Sequence, residues 1–219
     1  MKAEAGLWVA LSVLAPVVAA VAWPRLVGRL GGWAPMAAQA GPWLHSLAPG
    51  YLALLRGAVL GRDYGLYGQG WDGWLSGAAV CAGTLVAGGW LLRRLTLPTA
   101  IVLPAPADGL RQEVRWGLYR AAGALWSGAA PGGVAVGLIL AMVEWALARR
   151  VWAGGAWRTP AAWVPVARMA LSGALFLATR NFWLTAVAQI GLLFLARAAG
   201  SRSSPPGDAG EGATPKVGE

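Results

Sequence analysis

The sequence predicts an all-α, polytopic integral membrane protein of about seven transmembrane helices, with six as the alternative count. Three observations carry this. Hydrophobic residues fill 57% of the 219 positions and charged residues only 12%, and mean hydropathy is +0.54, well outside the composition of soluble domains. Several apolar runs approach the roughly 20 residues needed to span a bilayer. Most of the arginines fall between these runs, while segment 110–120 sets Arg111, Gln112, Glu113, Arg115 and Arg120 in an otherwise apolar chain.

The balance of 18 Lys plus Arg against 9 acids gives a net charge of +9. In a soluble protein such a charge points to nucleic acid. Here membrane topology and anionic headgroups account for it, so the expected partners are membrane lipids at Arg-rich cytoplasmic loops, together with a membrane protein or peptide, and no nucleic acid. The expected location is the cell membrane, most simply a bacterial inner membrane. Cys81 is the single cysteine and cannot form an intrachain disulfide. Among the 14 tryptophans, Trp23, Trp33, Trp71, Trp74, Trp126, Trp152, Trp157 and Trp183 lie near segment ends, where an amphipathic ring suits the headgroup layer.

The first apolar run, 6–23, is ended by Pro24-Arg25 and Arg29. Ala20-Val-Ala22 offers a signal-peptidase site, but Glu4 beside Lys2 favours an uncleaved first helix. Segment 35–60 holds Pro42, the only histidine (His45) and Pro49. Two prolines interrupt the backbone ladder, so a broken or tilted helix is expected, with His45 in a packing role. The glycine-rich loop 61–74 lacks the preceding strand and the Lys-Ser/Thr of a phosphate cradle and fits an interfacial re-entry. The third span, 74–92, carries small residues that permit close helix contact (Gly77, Ala78, Ala82, Gly83, Ala87, Gly88) and ends at Arg93-Arg94. Pro98, Pro104 and Pro106 make an extended connector, after which Asp108 is the expected N-cap of helix 109–126.

That helix holds three arginines, yet it must cross. Arg93-Arg94 and Arg149-Arg150 both read as cytoplasmic anchors, and the run 134–148 crosses only once between them. Seven crossings follow, with the N-terminus outside and the C-terminus inside. On this helix Glu113 and Arg120 share a face within roughly 20 degrees, with Gly117 between them, and Arg115 points away. An intramembrane carboxylate is costly unless paired, which makes Glu113 the candidate functional residue. Glu144 is expected to pair with Arg149-Arg150, and Arg168 to face the interior or to snorkel to the surface. Ser76 and Ser172 have no base near them in sequence. Runs 161–179 and 182–196 read as an antiparallel pair joined by Thr179-Arg-Asn181. The domain division is a helical membrane domain over 1–197 and a polar Pro/Gly/Ser-rich tail over 198–219, expected to be disordered.

The last two helices, with Gln112-Glu113 and the loop Arg62-Asp-Tyr-Gly-Leu66, resemble the CAAX-protease and bacteriocin-processing (CPBP) family of intramembrane proteases. In that family a glutamate pair followed by arginine precedes Phe-x-x-x-His and His-x-x-x-Asn motifs. Here Phe176-Leu-Ala-Thr-Arg180 stands in the second position with arginine for histidine. Gln189-Ile-Gly-Leu-Leu193 stands in the third, with glutamine for histidine and leucine for asparagine. The resemblance implies a helical membrane fold and an ancestral site built around Glu113.

The departures redirect the chemistry. A two-histidine metal site cannot be built from a chain with one histidine, and arginine can neither accept a proton nor bind a cation, so neither metal nor cofactor is expected. Two functions remain. The first is a non-catalytic relative, acting as a membrane-embedded binding or scaffold protein. Its polar core comprises Gln112, Glu113, Arg120, Phe176, Arg180, Asn181 and Gln189, with Glu113 paired to Arg180 because seven residues of helix rise about 10 Å and separate it from Arg120. The second is an active endopeptidase with Glu113 as general base and Gln189 positioning water.

Overall fold

Apolar length and terminal charge divide the chain into helices, and the computed structural model describes residues 1–94, 104–152 and 160–200 of it, leaving out the side chains of residues 20, 21, 23, 149–152, 160–163 and 200. Every regular element among the described residues is helical: α1 (Lys2–Val27), α2 (Ala34–Leu55), the short α3 (Gly61–Tyr64), α4 (Trp71–Arg94), α5 (Pro106–Ser127), α6 (Ala130–Trp152), α7 (Pro160–Thr179) and α8 (Phe182–Gly200), with one 3-10 turn over Gly31–Trp33. By length and composition, four helical stretches can cross a membrane: Lys2–Ala19, Trp71–Arg94, Ala130–Ala148 and Phe182–Ala199. Val164–Thr179 is a shorter apolar helix. Helices α2 and α5, which a count of seven also requires, are less apolar.

The bundle exposes apolar side chains and buries a set of polar ones within an otherwise apolar core. Leu7, Leu14, Val86, Ile139, Val187 and Phe194 are exposed, whereas Ser12, Glu113, Arg120, Ser172, Thr185 and Gln189 are buried, and buried polar groups of this kind call for partners inside the bundle. At the centre stands α5, the most highly charged long helix, with every residue from Arg115 to Gly123 buried. It packs against α1, α2, α6 and α8 and against the short α3. Glycines set its distance from α6: a Cβ at Gly123 would lie 2.8 Å from the Gly133 carbonyl oxygen, and one at Gly137 only 2.9 Å from Cγ of Arg120. Small residues spaced by four bring two helix backbones together in this way. Of the small residues in α4, Gly77 and Gly88 do the same work, facing Leu184 and Leu192 of α8, while Gly83 faces open space.

Several sequence expectations shift. Pro24 does not end α1, which continues to Val27 with Pro16 and Pro24 inside it. Nor is α2 broken: it runs 22 residues through Pro42 and Pro49, and the Ser46 hydroxyl donates to the Pro42 carbonyl at 2.7 Å. Helix α5 begins at Pro106, so Asp108 is the third residue rather than the N-cap. Its Oδ2 accepts the Ala105 N–H at 2.8 Å, half of a capping box, and its other oxygen pairs with Arg111. Loop 61–74 folds back onto the bundle. Gly65 and Gly68 take left-handed φ of 83 and 100 degrees, and the Phe182 N–H donates to the Gly65 carbonyl at 2.9 Å.

Among the described residues, the two termini lie at opposite ends of α5. The Trp126 indole, near its C-terminal end, donates to the Lys2 carbonyl at 3.2 Å, while Leu193 of α8 packs beside Gly109 near its start. The Arg149-Arg150 anchors, Trp23, Trp152 and Trp157 have side chains outside the described residues, as do Pro98 in the connector and the tail from residue 201.

Candidate functional site

Glu113 is fully buried on α5, and its charge is met within the same helix. The Arg120 Nη2 lies 2.5 Å from Glu113 Oε1, although about 10 Å of helix rise separates their backbones. Helical side chains lean toward the N-terminus, so the long Arg120 side chain reaches back along the shared face. Intervening Gly117 has no side chain to obstruct it, and the Tyr64 ring packs where a Cβ would stand. The pairing expected with Arg180 is therefore replaced by the one expected to be out of reach.

Ser172 closes the arrangement. Arg120 Nη1 donates to Ser172 Oγ at 2.7 Å, and Ser172 Oγ donates to Glu113 Oε2 at 2.7 Å. Both carboxylate oxygens thus have donors. The Phe176 ring caps the guanidinium, its centroid 4.4 Å from Arg120 Cζ, and the same ring lines a cavity of about 480 Å³ near Arg62, Gln69 and Arg180. Phe176 is the wall between that cavity and the ion pair. A void of about 10 Å³ touches Arg120 from α6, room for at most one water.

Gln112 and Gln189 serve a different cation. Arg168 Nη1 donates to Gln112 Oε1 at 2.7 Å, and Arg168 Nε donates to Gln189 Oε1 at 3.2 Å. Gln189 Nε2 in turn donates to the Arg168 carbonyl at 3.1 Å. Of the two orientations expected for Arg168, the interior one holds. Both ends of the Gln189 amide are thus engaged by Arg168.

Arg180 and Asn181 belong to the α7–α8 turn. Arg180 is exposed and is the one described non-glycine residue with positive φ, at 49 degrees. Asn181 caps α8, its Oδ1 accepting the Leu184 N–H at 3.1 Å, while its Nδ2 donates to Gln69 Oε1 at 3.1 Å. Gln69 also donates to the Thr179 carbonyl. Tyr64 anchors the same loop by donating to the Val114 carbonyl, and burial pushes its phenol above the ordinary value, so it stays a donor.

The expectation for Glu144 changes partner. It pairs with Arg115 Nη1 at 2.6 Å and accepts the Tyr119 hydroxyl at 2.9 Å. Arg115 points away from the Glu113 face, as expected, and a buried arginine there needs its own anion. His45 sits beside Ser46, its Nδ1 3.5 Å from the hydroxyl, and among the described residues no group of three His, Cys, Asp or Glu gathers to hold a metal.

Sequence reasoning brought together Glu113, Arg120 and Phe176 but missed Ser172. The signal was its spacing: Arg168, Ser172 and Phe176 recur every four residues and so face one side of α7. The chain matches no family model, no curated protein and no solved structure.

Proposed function

We propose that this chain is a non-catalytic relative of the CPBP intramembrane proteases, a membrane-embedded binding or scaffold protein. One observation carries the reading: both oxygens of Glu113 are engaged, by Arg120 and by Ser172, at a site with 0% exposure. A general base must reach the proton that it abstracts, directly or through one water. Both oxygens of Glu113 are held by side chains, and Glu113 lines neither the cavity bounded by Phe176 and Arg180 nor the small void beside Arg120.

Seven crossings, with the N-terminus outside, are part of the proposal. It is supported by the placement of Arg25, Arg29, Arg93, Arg94 and Arg197 at helix ends on the side where α5 begins, the bias expected of a cytoplasmic face. A bacterial inner membrane is the location that we infer.

The test is a peptide-cleavage assay on the purified chain in lipid, with and without added divalent metal, comparing wild type with Glu113→Gln. No cleavage by either protein supports the reading. Cleavage by the wild type that Glu113→Gln abolishes establishes the endopeptidase instead.

A further inference from the structure

We propose that the cavity of about 480 Å³ between the α3 loop, the α5–α6 turn and the end of α7 is a binding site for a phosphate group, seated on Arg180 and Arg62. The proposal rests on the membrane-embedded binding reading and gives it a ligand class. The Phe176 ring separates this cavity from the Glu113–Arg120 pair, so the site draws nothing from the buried charges. Its volume falls within the roughly 300–1,000 Å³ of ligand sites.

Accessible positive charge faces this cavity directly. Arg62 and Arg180 both line it, and both are exposed. Arg62 has Asp63 at 3.7 Å, and among the described residues Asp63 is the one acid of the lining. Arg180 has no anionic partner among the described residues. Two cations against one acid leave one positive charge on the walls. Helix dipoles do not alter this balance, because the C-terminal end of α5 and the N-terminal end of α6 both reach the cavity, at Gly128 and Ala130.

The backbone holds the unpaired charge there against its own preference. Arg180 takes a left-handed φ of 49 degrees, a conformation that disfavours any residue with a Cβ. Such strain persists only where the surroundings over-determine it, and an outlier on the wall of a cavity points to a use. Gln69 supplies the constraint: it donates to the Thr179 carbonyl and accepts from Asn181 Nδ2 at 3.1 Å. The loop that carries Arg62 and the turn that carries Arg180 are thereby tied into one frame.

Phosphate fits this frame. Its oxygens match the guanidinium fork, and a phosphodiester carries the single negative charge that the walls lack. Leu60, Leu125 and the Phe176 ring make the rest of the lining amphipathic. Exposed Tyr67 on the wall and Trp71 just beyond it are the aromatic residues expected at headgroup depth. The phosphodiester of a phospholipid and inorganic phosphate share this chemistry.

The experiment titrates the full chain in neutral detergent with phosphatidylglycerol, with diacylglycerol of the same acyl chains and with inorganic phosphate, reading bound stoichiometry by native mass spectrometry. Expected is one saturable site for phosphatidylglycerol and none for diacylglycerol. Competition by inorganic phosphate, or saturable binding of phosphate alone, assigns the site to the free anion; saturation by the lipid without competition assigns it to the headgroup. Arg180→Gly should weaken binding by about tenfold or more, the loss of one charge-assisted contact. The same substitution relaxes the left-handed residue, so Tm without ligand does not fall and lost binding cannot be put down to unfolding. Arg62→Gln should weaken binding similarly, while Arg93→Gln with Arg94→Gln, at the opposite end of the bundle, should leave the site unchanged. Equal binding of diacylglycerol, no saturable binding of any probe, or wild-type affinity in Arg180→Gly overturns the proposal. Cleavage activity is read separately, so the protease question and this one fail independently.

Discussion

Glu113 and Arg120 are joined at 2.5 Å across seven residues of α5, sealed from solvent at 0% and 3% exposure. A single helix thus supplies both its buried charge and the counter-charge. The consequence is that α5 can occupy the centre of an apolar bundle despite its arginines, because Arg111, Arg115 and Arg120 pair with Asp108, Glu144 and Glu113 respectively.

Ser172→Ala removes the hydroxyl that bridges Arg120 Nη1 and Glu113 Oε2. Leaving a buried charged group one bond short costs about 1–3 kcal/mol. Unfolding in a detergent titration should shift accordingly, and a shift below the noise would remove Ser172 from the core.

Arg180→Gly should stabilise the chain. Arg180 holds a left-handed φ of 49 degrees at the end of α7, where glycine is the common residue, and an L side chain there costs roughly 1–2 kcal/mol. A Tm rise of a few degrees is expected for a chain of this size. A fall would mean that Arg180 makes a buried pairing after all.

Gly137→Leu should be among the most damaging single changes. The added side chain meets Arg120 at its Cγ and backbone, so α5 and α6 must part. Overpacking of a close crossing costs about 1–3 kcal/mol or more, measurable as a lower Tm and faster proteolysis.

Alkaline pH should destabilise the chain through Tyr64. Burial raises its phenol above the ordinary 10.0. The unfolded chain therefore loses this proton first, and the stability due to the protonated phenol is present below about pH 10 and declines above it. Tyr64→Phe should be less stable at neutral pH, having lost the bond to Val114, and less sensitive to pH above 10. Identical alkaline profiles would contradict this role.

Much of the fold was legible because apolar run length and arginine placement are properties of single helices. The turn Thr179-Arg-Asn181, the polar centre at Glu113 and the direction of Arg115 away from the Glu113 face all follow from local sequence. What one helix cannot show is its rotation against another. Gln189 turns toward Arg168 rather than Glu113, and Glu144 toward Arg115 rather than the next turn of its own helix. The continuity of α2 through Pro42 and Pro49 was hidden for the same reason, since packing against α1 and α5 supports a helix that local propensity would break. Arg120 was misjudged by weighing backbone rise without side-chain reach and lean.

The closed pair at the centre of α5 is tested most directly by two double-mutant cycles on unfolding free energy, Glu113→Gln with Arg120→Gln and Glu113→Gln with Arg180→Gln. The structure predicts strong coupling in the first, of order 3 kcal/mol for breaking a buried pair from one side, and coupling near zero in the second. Strong coupling to Arg180, with none to Arg120, would contradict it.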